Sequence, residues 1–141
     1  MIAAANRLRR HADYQRVYSS NRKRFSKQMS YFFLLRNTQS TSENSGSDQL
    51  LAGPRVGLTV GRAMGKAVQR NRIKRRMREA VRLHIAELHA PVDLVLHPNR
   101  RVAEIEFSLV ERDVAQVFKA VQQTVERQLR ETESSLGGRT A

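Results

Sequence analysis

Residues 66–88 read KAVQRNRIKRRMREAVRLHIAEL, the strongest helix pattern in the chain. Its apolar residues recur three or four positions apart, which predicts one apolar face along a helix. We predict that the helix runs from Lys66 to about Leu88, because Pro91 cannot continue it. The apolar stripe consists of Ile73, Met77, Val81 and Leu88, with Ala80, His84 and Ile85 beside it.

The other faces of this helix are strongly basic. Between Lys66 and Arg82 the chain has eight basic residues and one acid, Glu79. Like charges four residues apart destabilise a helix by roughly a few tenths of a kcal/mol per pair. A charge run is usually a solvated face, but this uncompensated repulsion favours a polyphosphate partner. The ladder of like charges consists of Arg70, Lys74, Arg78 and Arg82.

Hydrophobic patterns predict five further elements. They are a helix from Leu8 to about Ser20, strands Ser30–Arg36, Arg55–Val60 and Val92–Leu96, and a helix from Glu111 to about Arg130. The last helix has an apolar stripe of Val114, Val117, Phe118, Val121, Val125 and Leu129. This order predicts an α+β or mixed α/β fold in which helices pack on a small sheet.

Three segments are predicted to lack packed structure. Residues 21–29 form a basic connector. Residues 37–53 are rich in Ser, Thr and Asn, can bury little apolar surface and predict a mobile loop. Residues 131–141 predict a disordered tail. A single domain is therefore expected over residues 1–130, with the loop as an insertion.

The charge of the chain is concentrated in its first part. The formal net charge is +13. Residues 1–82 contain 19 Lys and Arg against four acids, a net +15, and residues 83–141 contain seven against nine, a net −2. This asymmetry predicts a polyanion-binding surface on a supporting scaffold.

Composition excludes several classes. The chain has no cysteine, so it has no disulfide framework and no thiolate metal site. It has no run of 18 apolar residues, and its first residues lack the apolar stretch of a secretory signal. We expect a cytoplasmic protein without membrane contact.

Aromatic residues cluster beside basic ones near the start of the chain. Six of the eight aromatics lie within residues 14–33, interleaved with Arg and Lys. Alternation in the strand places Phe32 and Leu34 on one sheet face and Tyr31 and Phe33 on the other. One face must be core, and the other can stack unpaired bases beside the aromatic residues of the first helix. For Phe32 and Tyr14, core packing and base stacking remain equal alternatives.

The sequence shows no catalytic constellation. None of the four histidines has the spacing that binds a metal from one helix face. The carboxylate pairs Glu104/Glu106 and Glu111/Asp113 lie where acids are common for structural reasons. The segment 61–67 lacks the spacing and the hydroxyl residue of a phosphate-binding loop. We expect neither a protein-bound metal nor nuclease, kinase or hydrolase machinery in the polypeptide.

Two segments of the chain resemble a known protein family. The segment RVGLTV at 55–60 and the segment GKAVQRNRIKRRMRE at 65–79 are similar to the signature of the protein subunit of bacterial ribonuclease P. The resemblance extends over roughly residues 7–130, outside the loop. It implies an αβ sandwich with a four-stranded sheet, three helices and a left-handed βαβ crossover, the fold type of the second domain of ribosomal protein S5. An additional strand is then required, and we expect it near 30–36 or 55–60.

The resemblance also implies a function. The family protein assists a catalytic RNA that removes the 5′ leader of precursor tRNA, with chemistry by the RNA and its Mg²⁺, and one protein per RNA is expected. The residues implied for contact with the catalytic RNA are Lys66, Arg70, Asn71, Arg72, Lys74, Arg75 and Arg78. Those implied for the single-stranded leader are Tyr14, Tyr18, Phe32 and Leu34.

Three features depart from the family pattern. Ala63 stands where a basic residue is usual, Tyr14 and Tyr18 stand where Phe is common, and the loop at 37–53 is longer than usual. Three other functions remain: a general RNA-binding module, a helix-based DNA-binding regulator and a nuclease that acts alone. An assay of precursor-tRNA cleavage with and without the bacterial catalytic RNA distinguishes most of these functions.

Overall fold

The computed structural model describes residues 7–20, 23–36 and 53–138, with side chains as far as Glu131. Except for Gly53, the predicted loop at 37–53 lies outside these residues, as do Arg22 and residues 139–141. The elements in chain order are α1 (His11–Ser19), β1 (Lys23–Phe25), β2 (Met29–Leu35), β3 (Arg55–Leu58), α2 (Ala67–His84), β4 (Val92–Pro98) and α3 (Phe107–Gly138).

The four strands form one mixed sheet in the order β1-β2-β4-β3. Strand β2 pairs antiparallel with both β1 and β4, whereas β3 and β4 are parallel. Parallel neighbours need a crossover connection, and here α2 provides it. The α+β class and the four-stranded sheet are thus confirmed.

Several predicted boundaries are wrong. The additional strand is Lys23–Phe25, inside the predicted basic connector and not near 30–36 or 55–60. Helix α2 ends at His84 and is followed by a 3₁₀ turn at residues 85–87. Strand β4 includes His97 and Pro98. Helix α3 starts before Glu111 and continues beyond Arg130 to Gly138.

The two faces of the sheet have different covers. Alternation along β2 directs Tyr31 and Phe33 toward α2 and α3, where they join the main core with Leu94 and Leu96 of β4. The predicted stripes of α2 and α3 are buried there, except Leu129, which is exposed. The opposite face holds a small cluster of Leu8, Val17 and Val95 beneath α1.

A buried ion network ties α1 to the sheet. Asp93 of β4 has no exposed surface and accepts hydrogen bonds from Arg55 (Nε 2.8 Å, Nη2 2.7 Å) and from Arg36 (Nη1 2.6 Å). Arg55 also reaches Asp13 of α1 at 3.5 Å, and Arg16 approaches Asp13 at 3.4 Å. Hydrogen bonding to Asp93 raises the pKa of Arg55 above its ordinary value. Buried charges are tolerated only when they are paired in this way.

No helix in the part of the chain that the structure describes is long and apolar enough to cross a membrane.

Candidate nucleic-acid interface

The four residues expected to bind a single strand lie together. Tyr14 and Tyr18 of α1 face Phe32 and Leu34 of β2, and all four are half-buried around the small cluster under α1. We call this group the aromatic cleft. Core packing and base stacking, the two alternatives for Phe32 and Tyr14, are therefore compatible. One side of each ring packs on the core, and the rest is open to solvent.

Tyr18 is held at the centre of the aromatic cleft. Its ring meets Phe32 edge to face, with centroids 5.0 Å apart and planes at 82°. Its hydroxyl is hydrogen-bonded to Thr59 Oγ1 at 3.0 Å and to His97 Nε2 at 3.1 Å. Edge-to-face pairs of this kind are favourable, and hydrogen bonds fix the ring in place. The cleft wall is thus organised without a ligand.

Tyr14 closes the other end of the aromatic cleft. Its hydroxyl donates to Leu8 O at 3.2 Å, and its ring lies over Gly57. A Cβ at position 57 would stand 2.6 Å from Tyr14 Cζ, so only glycine leaves room for the ring. Burial raises the pKa of Tyr14, and the charges of Arg7 and Arg78 offset part of that rise.

His97 also belongs to the aromatic cleft, although the sequence did not predict this position. Its ring lies 5.5 Å from Phe32 and 5.7 Å from Tyr18, centroid to centroid. Burial lowers the pKa of His97, and the charge of Lys23 lowers it further. The signal was present, because alternation from Val95 places His97 on the α1 face once the strand is extended.

The basic residues of α2 separate into exposed and internally paired side chains. We call the first group the basic helix face: Asn71, Arg72, Arg75 and Arg78 are exposed, Lys66 is exposed at the N-cap, and Arg70 and Lys74 are half-buried. These are the seven residues expected to contact structured RNA. They extend from the N-cap to the last turns of α2.

Two other basic residues of α2 have partners within the protein. Arg76 donates from Nη1 to Val102 O and from Nη2 to Ile105 O, both at 2.5 Å, which holds the turn before α3. Burial lowers the pKa of Arg76, and the charge of Arg72 adds to this. Arg82 is paired with Glu79. The repulsion read from the sequence is therefore smaller than a count of eight cations indicates.

The start of α2 leaves backbone donors available. Lys66 is the N-cap and makes no side-chain capping bond, and the first turn contains no acid. The preceding Gly65 has φ 118°, a left-handed conformation that glycine adopts without strain. Uncapped N–H groups beside a lysine favour an anion such as phosphate.

The two surfaces are adjacent. Gly57 and Thr59 contact the two tyrosines of the cleft, and the chain then passes through a short 3₁₀ turn to Lys66 at the N-cap of α2. Lys23 Nζ stands 5.9 Å from the centroid of Phe32 on the other side of the cleft. The aromatic cleft therefore has a cation beside Phe32, and the segment that borders its tyrosines leads to the basic helix face, which suits a charged strand.

Among the residues that the structure describes, no group of three or more His, Asp and Glu side chains could hold a metal ion. The pair Glu104/Glu106 lies at the turn before α3. Asp113 accepts from Ser26 Oγ at 2.6 Å and from Gln28 N at 3.0 Å, so it has a structural role at the β1–β2 hairpin.

Comparison with solved structures agrees with this fold. The ribonuclease P protein of Staphylococcus aureus superposes with a TM-score of 0.64 at 21% identity, covering 83% of this chain and 95% of that one. The protein from Thermotoga maritima gives a TM-score of 0.63 at 21% identity, covering 81% and 96%. At this identity the likeness concerns the fold.

Sequence comparison extends the likeness to the family. The ribonuclease P protein component of Thermobifida fusca is 31% identical over 121 residues, which cover 86% of this chain and 79% of that protein. The protein of the same name from Oleidesulfovibrio alaskensis is 38% identical over 102 residues, 72% of this chain and 73% of that protein. A family model described as Ribonuclease P matches residues 2–122. The chain therefore belongs to the ribonuclease P protein component family.

Proposed function

We propose that this ribonuclease P subunit binds the catalytic RNA with its basic helix face and the 5′ leader of precursor tRNA in its aromatic cleft. The single observation that carries the proposal is an open aromatic cleft whose bordering segment, residues 57–59, leads through a short turn to the exposed basic helix. A structured RNA and a single strand require these two different surfaces.

The basic helix face suits a folded RNA. Its side chains project from one rigid helix, so they present cations at fixed spacing to neighbouring phosphates. Arginine forms forked hydrogen bonds to phosphate and to base edges, and Asn71 adds a donor and an acceptor between Arg70 and Arg72. The N-cap at Lys66 supplies backbone N–H groups for one further phosphate.

The aromatic cleft suits a single strand. Tyr18 and Phe32 offer ring surface for unpaired bases, at about 1–3 kcal/mol per stacked base. Leu34 and Tyr14 extend the apolar wall. Stacking tolerates any base, so the cleft would accept leaders of different sequence. The tyrosines that replace the usual phenylalanines keep this capacity, because a phenol stacks as a phenyl ring does.

The chemistry is assigned to the RNA partner. The polypeptide would contribute no catalytic residue, and Mg²⁺ would be bound mainly by the RNA. The protein would hold the leader and place it near the RNA, one subunit to each RNA, in the cytoplasm. The contacts with the leader would add binding energy for precursor tRNA. Mature tRNA has no leader and would not gain this energy.

Precursor-tRNA cleavage at low Mg²⁺, with and without the bacterial catalytic RNA, tests the proposal. We expect cleavage only with the RNA, and faster with the protein. The double variant Arg70→Ala/Arg72→Ala should weaken assembly. A matched double variant on α3, Arg127→Ala/Arg130→Ala, removes the same charge from exposed positions outside the basic helix face and should assemble normally.

Three outcomes would replace the proposal. Cleavage by the protein alone would indicate a nuclease in its own right. Equal binding to many structured RNAs without stimulation of cleavage would indicate a general RNA-binding module. Preference for duplex DNA with a defined half-site would indicate a DNA-binding regulator.

The leader contact needs its own measurement. Phe32→Ala should lower affinity for precursor tRNA by about tenfold and leave affinity for mature tRNA unchanged. Equal loss for both RNAs would place Phe32 in the core.

A further inference from the structure

The edge strand β1 presents an aromatic ring to solvent. Phe25 is 74% exposed, the largest exposure among the bulky apolar residues other than Val68, and all three residues of β1 are exposed. The ring is approached only by the ammonium of Lys23 among the described cation–ring contacts, so much of its surface is accessible to a ligand. Because single exposed apolar residues are common, the neighbours of Phe25 must show whether its ring has a role in binding.

Phe25 lies on the same face of the sheet as the aromatic cleft. Lys23 is opposite Phe32 in the β1–β2 register, and Phe25 is opposite Ser30. Side chains two positions apart share a face, so Phe25, Lys23, Ser30 and Phe32 all point to the α1 side. Phe25 and Phe32 are diagonal neighbours, whose Cα atoms are typically about 7–8 Å apart.

Lys23 connects the two rings. Its Nζ stands 5.3 Å from the centroid of Phe25 and 5.9 Å from that of Phe32. Both distances fall in the range of cation–π attraction. An ammonium between the exposed ring of Phe25 and the half-buried ring of Phe32 is placed to contact the phosphate that links two bases stacked on these rings.

Charge also favours a nucleic acid at this edge. The hairpin carries Lys23, Arg24 and Lys27, and contains no acid from residue 23 to residue 36. The nearby carboxylate, Asp113, already accepts from Ser26 and Gln28 within the hairpin. A protein partner that covered Phe25 would have to place its own surface against these cations, whereas a single strand supplies the complementary charge throughout.

We propose that Phe25 and Lys23 form an outer leader subsite, in which Phe25 stacks a nucleotide beyond those held in the aromatic cleft and Lys23 contacts the linking phosphate. This inference rests on the proposed function, because it extends the same single-strand track from α1 across β2 to the sheet edge. The subsite takes any base and adds affinity only when the leader is long enough to reach it.

The test uses holoenzyme assembled from the full-length protein and a bacterial catalytic RNA, with one precursor tRNA carrying leaders of increasing length. For the unaltered protein, affinity should rise with leader length in two stages. Phe25→Ala should abolish the second stage, with a loss of roughly tenfold for the longest leader and none for the shortest. Phe25→Tyr should restore it, because a phenol stacks equally well.

Controls separate this subsite from the cleft. Phe32→Ala should lose affinity at every leader length that enters the cleft. Lys23→Gln should lower the slope of log affinity against log salt by about one for every leader that reaches Phe32 or Phe25, because Lys23 borders both rings. Because Phe25 is exposed, its variants should fold, which a thermal melt verifies.

The outcomes are distinct. Wild-type behaviour of Phe25→Ala at all lengths, with Phe32→Ala still impaired, would overturn the outer subsite and leave the proposed function intact. A loss for Phe25→Ala that is the same for every leader and for mature tRNA would assign Phe25 to the catalytic RNA, and would equally overturn the inference. No preference of the unaltered protein for precursor over mature tRNA would refute the proposed function itself.

Discussion

The two faces of the sheet show how one strand builds both a core and a binding surface. On β4, Val92, Leu94 and Leu96 point into the apolar core beneath α2 and α3, whereas Asp93 and His97 point to the side of α1. Two long helices cover most of the first face, whereas a helix of nine residues covers only part of the second. The uncovered part is where the aromatic cleft lies. A short helix on one face therefore leaves room for a ligand without weakening the core behind it.

The largest effect should come from the ion network on the α1 face. Asp93→Ala would leave the guanidinium groups of Arg36 and Arg55 buried beside a missing carboxylate, at a cost of about 3–5 kcal/mol in the free energy of unfolding. Urea denaturation measures this cost. The variant Glu79→Ala is the control, because its partner Arg82 is on the surface and stability should change little. A small loss for Asp93→Ala would mean that α1 is not held by this network.

Neighbouring residues of β2 test the difference between the faces directly. Phe33 is 1% exposed in the main core, so Phe33→Ala should cost about 3–5 kcal/mol of stability. Phe32→Ala should cost clearly less, because its ring is only half-buried and solvent fills the space. Thermal and urea denaturation of the two variants give the comparison. Equal losses would show that the α1 face is packed as tightly as the other.

Two consecutive arginines of α2 provide a similar contrast. Arg76→Ala removes the hydrogen bonds to Val102 O and Ile105 O and should lower stability by about 1.5–3 kcal/mol. Arg75→Ala, at an exposed position, should leave the melting temperature unchanged and reduce the salt slope of RNA binding by about one. If Arg75→Ala lowered stability and Arg76→Ala lowered the salt slope of RNA binding, the RNA-binding face would lie on the other side of α2.

The smallest effects should appear as opposite pH dependences. His84 joins α2 to α3 through Glu111 at 3.1 Å, and its other ring nitrogen contacts Glu87 of the following 3₁₀ turn at 2.5 Å. Although burial alone would lower the pKa of His84, its hydrogen bonds to the two carboxylates raise it on balance. The stabilisation is complete below pH of about 6.5 and is lost as pH rises through the folded pKa.

His97 has the opposite sign. Burial lowers its pKa, so the unfolded chain binds the proton more readily and stability falls as pH drops below about 6.5 toward the folded pKa. Urea midpoints across this pH range should therefore shift oppositely in His84→Gln and His97→Gln. The same pH slope for the two variants would contradict the assigned environments.

Sequence patterns predicted what depends on periodicity. The alternation in β2 correctly assigned Phe32 and Phe33 to opposite faces, and the stripe of α2 identified its buried side. Strand β1 escaped prediction because Lys23–Phe25 is exposed throughout and has no apolar alternation. It exists through its backbone pairing with β2, which a single sequence does not show.

Pairing over long sequence distances was also beyond prediction. Arg55 and Asp93 are 38 residues apart, and Arg76 reaches carbonyl groups 26 and 29 residues away. The sequence identified these side chains only as charges. The fold determines which of these side chains form hydrogen bonds within the protein and which are exposed to solvent. Arg76 and Arg75 differ for this reason.

Gly57 has a consequence for how this chain can change over generations. The ring of Tyr14 occupies the space that a side chain at position 57 would need. A larger residue at 57 becomes acceptable only when position 14 becomes smaller, so a substitution at either site opens or closes the path to a substitution at the other. Positions 14 and 57 are therefore expected to change together, although they are 43 positions apart in the chain.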